Sequence, residues 1–240
     1  MESLILTLKQ WQDYKFPIEE CIIGGSDCKK MKGYNGSDSP QKHLIGLEPR
    51  VLKQDVQQIF NLRPSMFSRS TLCYNNLNFS GMRERRQKVE KDIKKIYFRN
   101  NGGFSTKCGK PLPLYNYFFQ MKESQFVLSP EGNGEDCHRH YEAILCGAIP
   151  ILQEPDNDYC QKRWGVDSEI YNKYKKLPVL FVDCYSTINI TNLSFLYKQY
   201  LEKKFDFAPM FKSYWEKRST ELKTNSKFWL KHFKNTSWYE

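Results

Sequence analysis

The sequence lacks the patterns that identify several common classes of protein. It contains no Cys-x-x-Cys pair and no His pair at zinc-binding spacing, so we do not expect a zinc finger. No apolar run approaches the ~20 residues that cross a membrane, and there are neither internal repeats nor low-complexity tracts. Residues 1–9 have no basic lead and too short an apolar run for a signal peptide. We therefore expect a soluble, cytoplasmic chain without a membrane span.

The composition is that of a globular, basic protein. With 240 residues, 40% of them apolar, the chain can bury a sizeable core without disulfides, and we expect its eight cysteines to be reduced. We attribute the aromatic fraction of 15% first to core packing. The formal net charge of +10 attracts phosphates, whether in nucleic acid, at a membrane surface or on nucleotide-sugars, and does not choose among them.

Residues 125–152 show the clearest organisation in the chain. An apolar run at 125–128 is followed by a Gly-rich polar loop at 129–136, a helix-length segment that ends at Gly147, and a second apolar run at 148–152. This order of strand, loop, helix and strand is the repeating unit of a parallel sheet. The segment therefore predicts an α/β fold.

The loop in this unit is suited to an anionic ligand. Open parallel sheets bind ligands where strands end and helices begin. Gly132 and Gly134 let the backbone come close to a ligand, and the helix after the loop presents unpaired N–H groups and the positive end of its dipole. Asp136 is a good candidate for the helix N-cap, which is its structural role. A Gly-rich loop before a helix is a weak signal by itself.

The helix after the loop strengthens the signal. At about 100° per residue, His138, Arg139 and Glu142 fall within one arc beside the glycine loop. Arg139 can form a fork to a diphosphate, Glu142 can accept both hydroxyls of a ribose, and His138 can donate to a phosphate or sugar oxygen. The alternative is a surface salt bridge from Arg139 to Glu142. Another side of the helix carries three side chains expected to pack on the sheet, Tyr141, Ile144 and Leu145.

The rest of the chain divides into two predicted lobes. We expect a small N-terminal, acceptor-side lobe at residues 1–68 and a larger, donor-binding lobe with a C-terminal helix at 69–240. Strands alternate with helices from residue 71 onward. The predicted strands are 4–8, 21–25, 44–47, 71–74, 96–98, 125–128, 148–152 and 178–182, and the predicted helices are 51–60, 83–95, 112–121, 191–203 and 210–233.

Residues 129–151 resemble the signature of exostosin-like glycosyltransferases, which include short forms encoded by large DNA viruses of algae. The family pattern runs Ser-Pro-x-Gly-Asn-Gly-x-Asp-x-His-Arg-x-Trp-Glu-Ala-Leu and continues with Gly-x-Ile-Pro-Ile; the chain reads SPEGNGEDCHRHYEAILCGAIPI. Residues 72–86, residues 177–183 and the pair Tyr214-Trp215 resemble other elements of the family more loosely. The family Trp is Tyr141 here.

The resemblance implies a GT-B-like fold, with two Rossmann-like lobes that contain parallel sheets, the N-terminal one reduced. It implies an inverting transfer of a sugar from a nucleotide diphosphate-sugar, such as UDP-xylose, to a hydroxyl of a glycan or glycoprotein, without a metal. It assigns Arg139 to the pyrophosphate and Glu142 to the ribose. Four further residues are assigned to the phosphates: Gly132, Asn133, Gly134 and Arg85. If the chain is viral, we expect it in the host cytoplasm.

An inverting transfer also needs a base that takes the proton of the acceptor hydroxyl. It should come from the other lobe, on the face opposite the leaving nucleotide. Asp38, in a loop rich in turn formers, is the first candidate, followed by Asp27 and Asp13. The alternative is that Asp38 only makes a turn.

Three other interpretations remain open from the sequence. Asp156 and Asp158 have the Asp-x-Asp form that holds a divalent cation on a diphosphate, which fits a metal-dependent transferase. A basic nucleic-acid-binding protein is compatible with the charge, but the chain has no basic stripe with interleaved aromatics. A degenerate transferase that only binds its ligand is the third; Arg139 and Glu142 argue against it.

Overall fold

The structure is a computed structural model that describes nine segments of the chain. These are residues 2–16, 20, 69–76, 89, 91–92, 104–106, 112–130, 137–154 and 169–224. The strands among them are β1 (Ile5–Thr7), β2 (Thr71–Asn75), β3 (Phe104–Thr106), β4 (Ser124–Leu128), β5 (Ile149–Gln153), β6 (Leu180–Val182) and β7 (Lys204–Asp206). The α-helices are α1 (Leu8–Asp13), α2 (Leu114–Lys122), α3 (His138–Leu145), α4 (Glu169–Lys176), α5 (Ile190–Glu202) and α6 (Lys212–Thr224).

Five strands form a parallel sheet in the order β3-β2-β4-β5-β6. The first strand of the series, β2, lies inside the sheet; β3 is on one side of it, and β4, β5 and β6 are on the other. This is a doubly wound order, in which the chain changes direction between β2 and β4. The predicted α/β class with a parallel sheet is confirmed. The pairing of two such lobes in a GT-B arrangement stays a prediction.

The central unit folds as its sequence pattern predicts. β4 and β5 are almost wholly buried, because a parallel sheet is covered on both faces and its inner strands are apolar throughout. Helix α3 packs on β5. The side chains predicted to face the sheet are buried, with exposed fractions of 2% for Tyr141, 0% for Ile144 and 4% for Leu145.

Residues 2–16 pack against the unit that contains the parallel sheet. β1 pairs antiparallel with β7, and Leu4 accepts a hydrogen bond from the backbone N–H of Phe207. In α1, Trp11 is fully buried, stacks on Phe207 at 4.3 Å between ring centroids and donates its indole N–H to the carbonyl of Ile144 at 2.8 Å. Most of the predicted lobe 1–68 lies outside the described residues, so the boundary near residue 68 stays a prediction.

A buried arginine fixes the amino edge of the sheet. The guanidinium of Arg69 donates to the carbonyls of Ser124 at 2.5 Å and Cys146 at 2.7 Å, and burial lowers its pKa. Gly147, the residue after Cys146, has φ 72°, and a Cβ there would come within 2.7 Å of both the Arg69 guanidinium and the Gln12 side chain. The position therefore requires glycine for its backbone and for its space.

Several element predictions need correction. Strand β1 is shorter than the predicted 4–8, because Thr7 caps α1 through a capping box with Gln10 and the helix begins at Leu8. Strands β3 and β7 were not predicted. The predicted strands 21–25, 44–47 and 96–98 and helix 51–60 lie outside the described residues, as does the helix at 83–95 apart from residues 89, 91 and 92, which are helical. Among the described helices, none has both the length and the apolar character needed to cross a membrane.

Candidate functional site

The sheet order defines where a ligand should bind. In a doubly wound sheet, ligands occupy the crevice outside the carboxyl ends of the strands at the point where the order reverses. Here that point lies between β2, which ends at Asn75, and β4, which ends at Leu128. Helix α3 begins at the same edge, because it returns antiparallel to the strands between β4 and β5. Helix α3, which follows the predicted loop, therefore begins at the switch point of the sheet.

The N-cap of α3 is Cys137, and the prediction of Asp136 as N-cap is wrong. Cys137 has the extended backbone of a cap, with φ −139° and ψ 154°, and its carbonyl accepts a hydrogen bond from the N–H of His140 at 3.1 Å. The helix therefore begins one residue later than predicted, and no side chain caps it. Asp136 itself lies outside the described residues.

Arg139 reaches across the switch point from α3 to the end of β2. Its Nη2 donates to the carbonyl of Asn76 at 2.9 Å, and its guanidinium carbon lies 5.5 Å from the ring centroid of Tyr117 on α2. Its Nη1 is buried and has no hydrogen-bond acceptor among the residues that the structure describes. Burial by itself lowers the pKa of Arg139, but Tyr117 and Glu142 more than offset that effect and raise the pKa above its ordinary value.

Glu142 lies one turn further along α3 and is held by the same tyrosine. It is only 3% exposed, and its Oε2 accepts a hydrogen bond from the Tyr117 hydroxyl at 2.7 Å. Burial, with a further contribution from Glu142, raises the pKa of Tyr117 well above its ordinary value, although Arg139 acts in the opposite direction. Because Glu142 is buried, the alternative of a solvent-exposed salt bridge with Arg139 is wrong. Arg139, Tyr117 and Glu142 form one coupled cluster.

Tyr117 was missed by the sequence analysis. It belongs to α2, which precedes β4, and its ring also contacts Tyr74 of β2 edge-to-face at 6.3 Å. The sequence predicted the helix at 112–121 but held no signal that one of its aromatic residues faces α3. To find it, one would need to know that α2 and α3 are neighbours in the fold.

A second polar contact joins the end of β4 to helix α3. Ser129, just after β4, places its Oγ 2.6 Å from Nδ1 of His140 on α3. His140 is 1% exposed, contacts Tyr174 of α4 edge-to-face at 5.2 Å, and has the Cys137 sulfur 3.3 Å from its Nε2. The family pattern leaves the position of His140 open, which is why sequence reasoning did not single it out. His138, which it did single out, is half-buried at the first residue of α3.

The structure does not describe the other predicted site residues. They are Gly132, Asn133, Gly134, Asp136, Arg85, Asp38, Asp27, Asp156 and Asp158, and their roles stay predictions. Asp13 is described and does not reach the site. It ends α1, where its neighbour Gln12 donates to the carbonyl of Gly147 at 2.8 Å, at the amino edge of the sheet. Asp13 is therefore at the opposite edge from Arg139 and is wrong as a candidate base.

The sheet order and the side chains at its switch point indicate the class of protein. A doubly wound parallel sheet with a guanidinium and a buried carboxylate at its switch point has the arrangement of proteins that bind nucleotides or their conjugates. Residues 107–234, more than half of the chain, match the family model described as the RXYLT1 C-terminal domain. The chain belongs to this family, which is a family of glycosyltransferases, so the predicted enzyme class is confirmed. No individual curated protein matches the chain.

Proposed function

We propose that this glycosyltransferase moves a sugar from a UDP-sugar to a hydroxyl of a glycan or glycoprotein acceptor, with inversion and without a metal. The observation that carries the proposal is the cluster of Arg139, Tyr117 and Glu142 at the switch point of the sheet. The matched family is of xylosyltransferase type, which supports UDP-xylose as the donor.

Arg139 is the proposed ligand of the pyrophosphate. One of its terminal nitrogens is fixed by the Asn76 carbonyl, and the other is buried without an acceptor in the described part of the chain. A buried N–H group without an acceptor costs about 1–3 kcal/mol, and a phosphate oxygen would remove that cost. Four residues are proposed to complete the phosphate site, Gly132, Asn133, Gly134 and Arg85, with Asp136 and His138 beside them.

Glu142 is the proposed ligand of the ribose. A carboxylate accepts several hydrogen bonds, so ribose hydroxyls can be added to the bond that Tyr117 already donates. The hydrogen bond from Tyr117 holds this buried carboxyl group in one orientation. The two recognition groups are thereby fixed on the rigid helix α3 before the donor arrives.

The proposed reaction is a direct displacement. Asp38, with Asp27 as the next candidate, takes the proton of the acceptor hydroxyl while its oxygen attacks the anomeric carbon. The bond from that carbon to the UDP oxygen breaks, and its electron pair goes to the β-phosphate. Arg139 and the N-terminus of α3 stabilise the charge that develops there. We also propose a cytoplasmic location without nucleic-acid partners. Cys73 and Cys184, among the described cysteines, form no disulfide, which is compatible with that location.

Thermal unfolding with a panel of nucleotide-sugars tests the proposal. We expect UDP and one UDP-sugar to raise the melting temperature; a ligand at 100 times its dissociation constant stabilises by about 2.7 kcal/mol. In Arg139→Ala this shift should disappear while the melting transition of the free protein remains cooperative. Arg218→Ala, which removes an exposed arginine of α6, is the matched control and should keep the shift.

Two results would contradict the proposal. One is the absence of a shift with any nucleoside diphosphate, and the other is an equal shift in Arg139→Ala and Arg218→Ala. Transfer that stops on addition of a chelator and returns with a divalent cation would favour the metal-dependent alternative through Asp156 and Asp158.

A further inference from the structure

A cavity of about 550 Å³ lies between α4 and α6. Its volume falls within the range of small-molecule sites. Its described lining comes from these two helices and from Glu2 near the N-terminus, and none of it belongs to the cluster of Arg139, Tyr117 and Glu142. The cavity is therefore a separate feature of the fold, and a ligand proposed for it does not depend on the proposed donor site.

The lining of the cavity carries a net positive charge. Four cationic side chains, Lys173, Lys176, Lys217 and Arg218, face two carboxylates, Glu2 and Glu221. Both carboxylates are in exposed ion pairs, Glu2 with Lys217 and Glu221 with Arg218. Exposed pairs contribute only about 0–1 kcal/mol, so an anion that enters the cavity can take over either cation at little cost.

Lys173 places a fixed cation in this lining. Its side chain is 4% exposed, and its ammonium group donates to the Tyr141 hydroxyl at 2.5 Å. The same nitrogen lies 4.3 Å from the ring centroid of Tyr174 and 5.5 Å from that of Trp215. These contacts hold the Lys173 amino group in one position in the lining, and aromatic faces favour a cation placed against them.

Two aromatic rings complete the cavity. Trp215 and Tyr214 meet edge-to-face at 5.1 Å, and the Trp215 indole N–H donates to the carbonyl of Pro209 at 2.8 Å, which fixes the ring. A fixed aromatic face beside several cations suits a ligand that has both an apolar ring face and an acidic group. We propose that this cavity binds an acidic saccharide, that is, a sugar ring that carries a phosphate or carboxylate group.

Calorimetric titration of the full chain tests this proposal. The probes are glucose 6-phosphate, glucuronate, neutral glucose, inorganic phosphate and UMP, all in the presence of saturating UDP. We expect at least one of the two acidic sugars to bind at least tenfold more tightly than glucose, inorganic phosphate and UMP. The two acidic sugars distinguish a phosphate from a carboxylate as the recognised group.

Variants of exposed lysines locate the site. Lys176→Gln removes a cation of the cavity and should weaken binding of the acidic sugar about tenfold, which corresponds to 1.4 kcal/mol. Lys212→Gln, an exposed lysine at the start of α6 outside the cavity, should leave it unchanged. Three results would overturn the proposal. They are equal effects of the two variants, no binding of either acidic sugar, and binding of inorganic phosphate or UMP as tight as that of the acidic sugar. Failure of UDP to bind leaves it intact and overturns only the proposed donor site.

Discussion

At the scale of single residues, the candidate site depends on Tyr117, which contacts both of its charged groups. The hydroxyl donates to Glu142, and the ring lies under the guanidinium of Arg139. Because Glu142 is buried, water does not take the place of the Tyr117 hydroxyl as a donor when that hydroxyl is removed. The tyrosine therefore positions the two residues that we propose to bind the nucleotide.

We predict that Tyr117→Phe lowers the free energy of unfolding by about 1–3 kcal/mol, because a buried carboxylate loses a hydrogen bond. The same change should reduce the thermal shift that UDP produces. Urea unfolding measures the first effect and thermal unfolding with UDP the second. Tyr115→Phe is the control, since Tyr115 is 48% exposed on the outer side of the same helix. If the two variants behave alike, Tyr117 does not hold the site together.

The sequence predicts part of this cluster and not the rest, for a physical reason. Arg139 and Glu142 are on one helix, so their common direction follows from the helical repeat alone. Tyr117 and the Ser129–His140 contact depend on which elements are neighbours in space. Sequence spacing carries no information about such contacts until the order of the strands is known.

At the scale of elements, the apolar content of a segment decides what the sequence predicts. Helices α2, α3 and α5 show a pattern of apolar positions, and their predicted bounds differ from the structure by one to two residues at most of their ends. Strands β3 and β7 read Phe-Ser-Thr and Lys-Phe-Asp, so each has a single apolar residue and neither an apolar run nor an alternation marks it. Strands β1 and β6 are equally short, but they lie in apolar runs and were predicted. The start of α1 was predictable, because Thr7 and Gln10 have the spacing of a capping box.

Helix α6 has a cap that comes from far away in the sequence, and this cap makes the stability depend on pH. The carboxylate of Glu20 accepts a hydrogen bond from the backbone N–H of Ser213, in the first turn of α6, at 2.9 Å. That bond lowers the pKa of Glu20 in the folded state. Because the pKa of Glu20 is lower in the folded than in the unfolded state, its hydrogen bond stabilises the fold fully above the unfolded-state pKa of about 4.3. This stabilisation is lost as the pH falls through the folded-state pKa.

We therefore predict that Glu20→Gln reduces the loss of stability on acidification below about pH 4.3. Urea unfolding at a series of pH values from neutral to acidic measures the slope for wild type and variant. Glu216→Gln, which removes an exposed carboxylate on α6 paired with Lys212, is the control and should leave the slope close to that of wild type. An unchanged slope in Glu20→Gln would show that this cap does not contribute.

At the scale of the whole molecule, the alternation of strands and helices predicts the sheet but not the position of the N-terminus. The parallel pairing follows because a helix between successive strands returns the chain to the same edge of the sheet, as α3 does between β4 and β5. The contact of α1 with the amino edge joins residues more than a hundred positions apart, as in the bond from Trp11 to Ile144. Neither the composition nor the periodicity of residues 2–16 indicates this contact.

This packing leads to a prediction about the boundary near residue 68. A fragment of residues 69–240 loses α1, so it exposes Phe207 and Phe211, which are fully buried in the whole chain, and leaves the Ile144 carbonyl without the Trp11 donor. We expect the fragment to lack a cooperative melting transition, although it contains the whole parallel sheet. Circular dichroism on heating compares it with the full chain.

Substitutions in the full chain separate loss of this packing from loss of the remaining N-terminal residues. Trp11→Ala should cost about 3–5 kcal/mol in urea unfolding, as expected for a large aromatic residue removed from a core. Ile5→Ala is the control, because Ile5 in β1 is 54% exposed, and it should change the stability little. A fragment that melts like the full chain, together with equal costs for the two variants, would show that the sheet unit is independent of the N-terminus. With the expected result, residues 2–16 belong to the core that carries Arg139 and Glu142, and the proposed donor site needs both ends of the chain to be folded.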